Sequence, residues 1–197
     1  MDMIEALTTN LSKLPGIGKK SAQRMTYYLL RADSNYLNQL GDQLKLLKER
    51  VKCCSKCGNY TEVDPCPICS SAKRDGDIIC VVEHPQDLIT INSTGEYGGL
   101  FFVLNGVISP IDGIGPDDLR LALLKQRVIN ENIKEVILAT NPTIEGDTTA
   151  LYVYRMLNDT GVSITRLASG IPVGGDLEYA DKQTIARSFK ARSPISF

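Results

Sequence analysis

The densest chemistry in the chain lies in a short central stretch. Cys54-x2-Cys57 and Cys66-x2-Cys69 are two cysteine pairs of identical spacing with eight residues between them. Each pair can present two thiolates from one tight knuckle, and two knuckles complete a sulfur tetrahedron around one Zn2+ ion. A closed ligand set leaves no position for water or substrate, so the metal is structural. Its binding supplies folding energy to a segment, 52–72, that is too short and too polar to bury a core. Disulfides and a redox dithiol are the alternatives. Disulfides are disfavoured in the cytoplasm, and a redox motif needs one pair rather than two facing pairs. Cys53 adjoins Cys54, but Cys54 gives the regular spacing; Cys80 sits in an apolar run and reads as a small buried residue.

A second constellation lies near the N-terminus. Leu14-Pro15-Gly16-Ile17-Gly18 is followed by Lys19-Lys20-Ser21-Ala22-Gln23-Arg24. Pro15 presets φ, and Gly16 and Gly18 let the backbone come close to a phosphate. The N–H groups opening the next helix then point at that phosphate, with the helix dipole favouring its charge. Lys20 and Arg24 are four apart, share a helix face and extend the contact. Such contacts position a nucleic acid without reading its bases. The turn alone also suits an ordinary helical hairpin; the basic residues directly after it favour the nucleic-acid reading. Gly18-Lys19 is not a P-loop, because Lys20 follows Lys19 and Lys13 stands where the first glycine of GxxxxGK[ST] belongs.

The third candidate is acidic. Glu83 closes the run Ile79–Val82, and Val136–Ala139 leads into Thr140-Asn141-Pro142-Thr143-Ile144-Glu145-Gly146-Asp147. Ligand sites of parallel sheets lie at the carboxyl ends of strands, where Glu83 and the 140–147 loop can meet. Capping the following helix or pairing with a base are the other roles open to Glu83. His84, the only histidine, has no nucleophile pattern around it and reads as a loop residue.

The elements that must position these groups follow from hydrophobic periodicity. Three helices are predicted over about 2–12, 18–31 and 35–51; the second carries Ala22, Met25 and Leu29 in line, and the third Leu37, Leu40, Leu44, Leu47 and Val51. Strand signals at Asp77–Glu83, Leu100–Leu104, Glu135–Ala139 and Ser163–Leu167 alternate with helical patterns at Pro85–Ile91, Pro116–Asn130 and Gly146–Asn158. Continuous apolar strands separated by amphipathic helices imply a mostly parallel sheet covered on both faces. A helix from about Tyr179 to Arg192 belongs to a C-terminal segment too small to fold alone.

Composition sets the outer bounds. With 197 residues, 43% hydrophobic and 23% charged, the chain can bury a real core and is not disordered. Its longest apolar runs, Ile78–Val82, Leu100–Leu104 and Ala150–Tyr154, are five residues each, far below a transmembrane span. The acidic start Met1-Asp2-Met3-Ile4-Glu5 does not resemble a signal peptide, so a cytoplasmic location is expected. The net charge of −1 hides an asymmetry: residues 1–57 carry +5 and residues 58–197 carry −6. A polyanion partner therefore belongs at the N-terminal end.

Glu83 with Thr140–Asp147 resembles the Toprim fold, in which a strand-end Glu and a DxD pair hold Mg2+ for phosphoryl chemistry. Here Asn141 and Thr143 occupy the DxD positions, and an amide and a hydroxyl are poor Mg2+ ligands. Two-metal catalysis is not expected, although Glu145 and Asp147 remain. Helix-hairpin-helix, four-cysteine knuckle and Toprim, in that order, resemble the RecR family of bacterial recombination mediators over nearly the whole chain. The resemblance is carried by LPGIG-x2-SAQRM at 14–25, the cysteines at 54–69, ICVVE at 79–83, SPIDGIGPDDL at 109–119, ILATNPTIEGD at 137–147 and IPVGGDLEYAD at 171–181.

The resemblance implies an α+β multidomain chain. Its parts would be a DNA-binding helix-hairpin-helix domain at 1–52, a zinc finger at 53–72, an α/β Toprim domain at 76–170 and an oligomerisation segment at 171–197. It implies a non-enzymatic protein that binds single- and double-stranded DNA and acts with RecO and RecF to load recombinase onto single strands. DNA contact would fall to Lys19, Lys20 and Arg24 with Gly16 and Gly18, and partner binding to a Toprim surface including Glu83, Asn141 and Glu145. A homotetrameric ring is implied, with Zn2+ as cofactor. The 171–181 stretch resembles a Walker B motif, but no Walker A accompanies it. A Mg2+-dependent Toprim nuclease or primase and a zinc-scaffolded adaptor without DNA contact are the rival classes.

Overall fold

The computed structural model describes residues 2–168, 170–171, 174–192 and 194. Two compact units divide between Val51 and Lys52.

The first unit is helical. Helix α1 (Met3–Leu11) starts at Asp2, whose side chain accepts the N–H of Glu5 at 2.7 Å. Helix α2 (Lys19–Leu29) starts at Gly18, and α3 (Ser34–Arg50) at Asp33, whose carboxylate accepts from Asn35 and Tyr36. Between α1 and α2 the Ile17 N–H closes on the Leu14 carbonyl at 3.0 Å, and Gly16 takes φ +77°. That conformation is open to glycine and strained for a side chain. The α1–α2 contact rests on small residues: Ala22 and Thr26 are fully buried, and the Thr26 hydroxyl meets that of Thr8 at 2.9 Å. A buried hydroxyl needs such a partner.

The second unit begins with a two-stranded antiparallel ladder, β1 (Lys52–Cys53) and β2 (Tyr60–Thr61), which frames the first cysteine pair. The sheet domain then runs β3 (Asp75–Val82), α4 (Pro85–Ser93), β4 (Gly99–Val103), α5 (Leu121–Asn130), β5 (Glu135–Leu138), α6 (Ile144–Leu157) and β6 (Ser163–Arg166), ending in α7 (Lys182–Lys190). The four strands pair in the order β4-β3-β5-β6, and every pairing is parallel. Strand alternation sorts the core into two faces. Ile79, Val81, Phe102 and Val136 pack against Leu124, Val128, Val153 and Leu157 of α5 and α6. Cys80, Val82, Phe101 and Val103 pack against Leu88 of α4 on the other side.

Two predicted helices are corrected. Pro116–Asn130 is not continuous: a 3-10 turn at Pro116–Asp118 is followed by an extended Leu119, and α5 starts only at Leu121. The break buries Leu119 and aims Arg120 at the cysteine segment. The C-terminal helix starts at Lys182 rather than Tyr179, because Asp181 caps it by accepting from Gln183 and Thr184; Tyr179 ends a separate 3-10 turn. Of the 171–197 segment, Pro172, Val173, Ser193 and 195–197 lie outside the described residues.

Candidate functional site: hairpin, metal knuckle and sheet-end acid

The hairpin presents what an anion needs. The first amides of α2 precede the first helical hydrogen bond, Ala22 N–H to Gly18 carbonyl at 2.9 Å, and Gly18 has no side chain to occupy them. The space where a Cβ would stand on Gly16 or Gly18 is empty to 4 Å, so the turn is open on its outer side. Lys19, Lys20 and Arg24 are exposed, and no acid lies in the first turn of α2. Among the described residues none of the three enters an ion pair. Their charge is therefore available to a ligand.

The four predicted cysteine ligands converge. One sulfur each from Cys54, Cys57, Cys66 and Cys69 lies within 4.8 Å of all the others, and Cys57 and Cys66 Sγ are 3.6 Å apart. A zinc tetrahedron with bonds of about 2.3 Å has sulfur–sulfur edges of about 3.8 Å. Three of the four are buried, and Cys53, on β1, is exposed. Burial pushes the Cys66 thiol up to about 11. A hydrogen bond with Cys69 and burial push Cys57 up as well. Cys54 moves the other way: burial opposes the shift, but backbone N–H donors led by Cys66 pull it down. Crowded thiols of this kind need a cation to exist together as thiolates, and the metal displaces their protons on binding. Cys80 is buried inside β3, away from this cluster, and burial raises its thiol to about 12.

At the carboxyl end of the sheet, β3 and β5 are neighbours, and this brings Glu83 to Asn141. The Glu83 side chain is only 4% exposed; Oε1 accepts the Asn141 backbone N–H at 2.8 Å and Oε2 accepts Asn141 Nδ2 at 2.6 Å. Among the described residues Glu83 therefore neither caps α4 nor pairs with a base. The cap belongs to Asp87, which accepts the His84 N–H at 2.9 Å, and His84 is exposed. Gly146 seals the arrangement: a Cβ there would stand 2.8 Å from Glu83 Oε1 and 2.1 Å from the Asn141 carbonyl. Asn141 is exposed and Glu145 half-buried, whereas Glu83 is turned inward.

Asp147, the other acid of the loop, is held between Arg166 of β6 at 2.5 Å and Arg187 of α7 at 2.8 Å. Desolvation opposes the shift, but the Arg166 and Arg187 guanidinium groups keep its carboxyl below the usual range. Both arginines line a cleft of about 430 Å³ beside Thr140 and Asn141. Among the described residues the cysteines are the one group of three or more such ligands brought together, so Glu83, Glu145 and Asp147 do not form a metal cage.

Several working residues were not read from the sequence. Thr26 is buried on α2 beside Ala22, while Met25 and Leu29 of the apolar stripe are half-buried. Arg127 is 7% exposed within the Leu124–Val128 face of α5, and a charge on an apolar stripe is the signal that could have marked it. Among the described residues, no helix is long and apolar enough to cross a membrane.

Comparison with known proteins follows the same order along the chain. Residues 4–47 match the RecR helix-hairpin-helix, 51–71 the RecR four-cysteine zinc finger domain, 77–168 the Toprim domain and 170–193 the RecR C-terminal region. The zinc-finger match spans the four clustered cysteines, which form a zinc site. The chain is 50% identical over 193 residues to Recombination protein RecR of Acidothermus cellulolyticus, covering 98% of this chain and 97% of that one. It is 53% identical over 192 residues to the protein of that name from Treponema denticola, with 98% of each covered. With Recombination protein RecR of Thermobifida fusca the identity is 48% over 194 residues, again covering 98% of each. The chain belongs to the RecR family of recombination proteins.

Proposed function

We propose that this chain is a non-enzymatic, DNA-binding mediator of recombinational repair. It acts with RecO and RecF to help load recombinase onto single-stranded DNA. The observation that carries the reading is the start of α2: open amides, an uncapped Gly18 and three exposed cations that enter no ion pair among the described residues. Phosphates are held there by charge and backbone N–H groups, which suits a protein that must accept any sequence. Lys19, Lys20 and Arg24 supply the cations, and Gly16 and Gly18 the close approach.

The sheet end supports a role without strand chemistry. Asn141 turns the strand-end acid into a hydrogen-bonded strut, and Asp147 is neutralised by two arginines. The exposed part of that end, around Asn141 and Glu145, serves partner proteins in this reading. A ring of several copies, a tetramer in the family's pattern, multiplies the weak grip of one hairpin through effective concentration. Helix α3 supports self-association: Leu37, Leu44 and Leu47 lie on its apolar stripe and are 37%, 66% and 56% exposed, a face that a second copy can cover.

A reconstituted loading reaction tests the proposal. Recombinase is offered single-stranded DNA covered by single-strand-binding protein, with RecO and this chain present. Filament formation is expected to depend on this chain and to fall with Lys20→Ala plus Arg24→Ala. Loading at the wild-type rate with that variant would contradict it, as would Mg2+-dependent cleavage or primer synthesis abolished by Glu83→Gln.

A further inference from the structure

Strand β4 is an edge of the sheet, and an edge strand needs its outward polar groups covered. In this protein the cover is the zinc knuckle and two arginines. The Val103 N–H donates to the carbonyl of Cys57, itself a metal ligand, at 2.7 Å. The Phe101 carbonyl accepts from Arg127 Nη1 at 3.1 Å, and the Gly99 carbonyl from Arg74 Nη1 at 2.8 Å. The same Arg127 nitrogen reaches the Lys56 carbonyl at 3.3 Å, between the two ligands of the first pair, while Nε is held by Glu131 at 2.9 Å. Arg120 Nη2 donates to the carbonyls of Cys54 and Ser55.

Packing joins the two parts further. Ile68, between Cys66 and Cys69, touches both the cysteine cluster and the core formed by Phe101, Val103 and Leu88. Gly58 lies so close that a Cβ would stand 2.7 Å from the Val103 carbonyl. The knuckle is thus hydrogen-bonded to the sheet as an extra rung, through the backbone of the residues that hold the metal.

We infer that zinc occupancy and the closure of edge strand β4 are one equilibrium, with Arg127 as the positioning residue that links them. Zinc fixes the knuckle backbone, and that backbone supplies the acceptors for Val103 and Arg127. When the metal leaves, Arg127 keeps its charge in a buried position and loses an acceptor. By reciprocity, weakening the Arg127 link weakens zinc retention although Arg127 touches no sulfur.

Hydrogen exchange on the full-length protein tests this, with zinc bound and after equilibration with a chelator. Protection of the Gly99–Val103 amides is expected to fall roughly tenfold or more on zinc removal. Protection at the opposite edge, Ser163–Arg166, is expected to hold. Unchanged protection at Gly99–Val103, or an equal fall at both edges, overturns the inference. A second arm titrates zinc against a competing chelator in Arg127→Met. Affinity is expected to weaken roughly tenfold, the range known for residues that orient metal ligands. The effect of zinc on β4 exchange should also shrink in this variant, which simple destabilisation would not produce. Wild-type affinity, or an undiminished zinc effect on β4, overturns the role of Arg127. The wild-type exchange arm stands even if the variant does not fold.

Discussion

Asn141 donates two hydrogen bonds to the single carboxylate of Glu83, one from its backbone at 2.8 Å and one from its side chain at 2.6 Å. The pair joins the ends of β3 and β5 where the Toprim pattern would place two acids around a metal. An Asp at 141 would face Glu83 with like charge and no proton to offer. A buried carboxylate tolerates the amide because the amide is a donor.

Asn141→Asp is therefore expected to destabilise the second unit by about 1–3 kcal/mol, since a buried carboxylate keeps the backbone donor, loses the side-chain one and gains a repulsion. Denaturant unfolding at neutral pH measures this. Equal stability of variant and wild type would show that the pair holds nothing.

Gly18→Ser separates folding from binding at the hairpin. Gly18 has extended backbone geometry and free space around its Cβ position, so serine fits and can cap α2. Helix stability should stay level or rise by up to about 1 kcal/mol. DNA affinity should nevertheless fall, because the hydroxyl occupies the amides a phosphate would use. Gly16→Ala should do the reverse in stability, losing about 1 kcal/mol through its positive φ. Thermal unfolding and fluorescence anisotropy on the same samples distinguish the two effects.

Zinc content should be one ion per chain. Cys54→Ser, Cys57→Ser, Cys66→Ser and Cys69→Ser should each abolish it, while Cys53→Ser and Cys80→Ser should retain it. Colorimetric release of the metal from purified variants checks the assignment, and zinc loss with Cys53→Ser would move a ligand.

Asp147 ties α7 to β6 through Arg187 and Arg166. Its carboxyl is held low in the folded protein, so the stabilisation is complete above the unfolded value of about 3.9 and is lost as pH falls through the lower folded value. The pairs are about 38% exposed, so solvent screening limits them to about 1 kcal/mol or less. Protection of the α7 amides, taken relative to their intrinsic exchange rate at each pH, should fall below about pH 4, and Asp147→Asn should show that lower protection already at neutral pH. An α7 indifferent to both changes would contradict the latch.

What was legible in the sequence was local. Cysteine spacing revealed the knuckle because both ligands of a pair sit in one turn, and the apolar runs revealed the strands because a doubly covered parallel sheet buries both faces. The basic turn was legible for the same reason: Gly16, Lys20 and Arg24 lie within one hairpin. The meeting of Glu83 with the 140–147 loop was legible too, from the rule that strand ends of a parallel sheet converge, but its form, two hydrogen bonds from Asn141, was not. Partnerships without such a rule escaped: nothing near Arg127 points to carbonyls at Lys56 and Phe101. The Pro116–Asn130 helix was misread because its periodicity is helical throughout, while burial of Leu119 and the reach of Arg120 break it.

The central claim, that the hairpin holds DNA by its phosphates, is tested most directly by the salt dependence of DNA affinity. The wild type is compared with Lys20→Ala plus Arg24→Ala on single-stranded DNA of mixed sequence. Two lost phosphate contacts should weaken binding and flatten the slope of log affinity against log salt by roughly 1.4 for each hairpin engaged. An affinity and slope equal to those of the wild type would contradict the account.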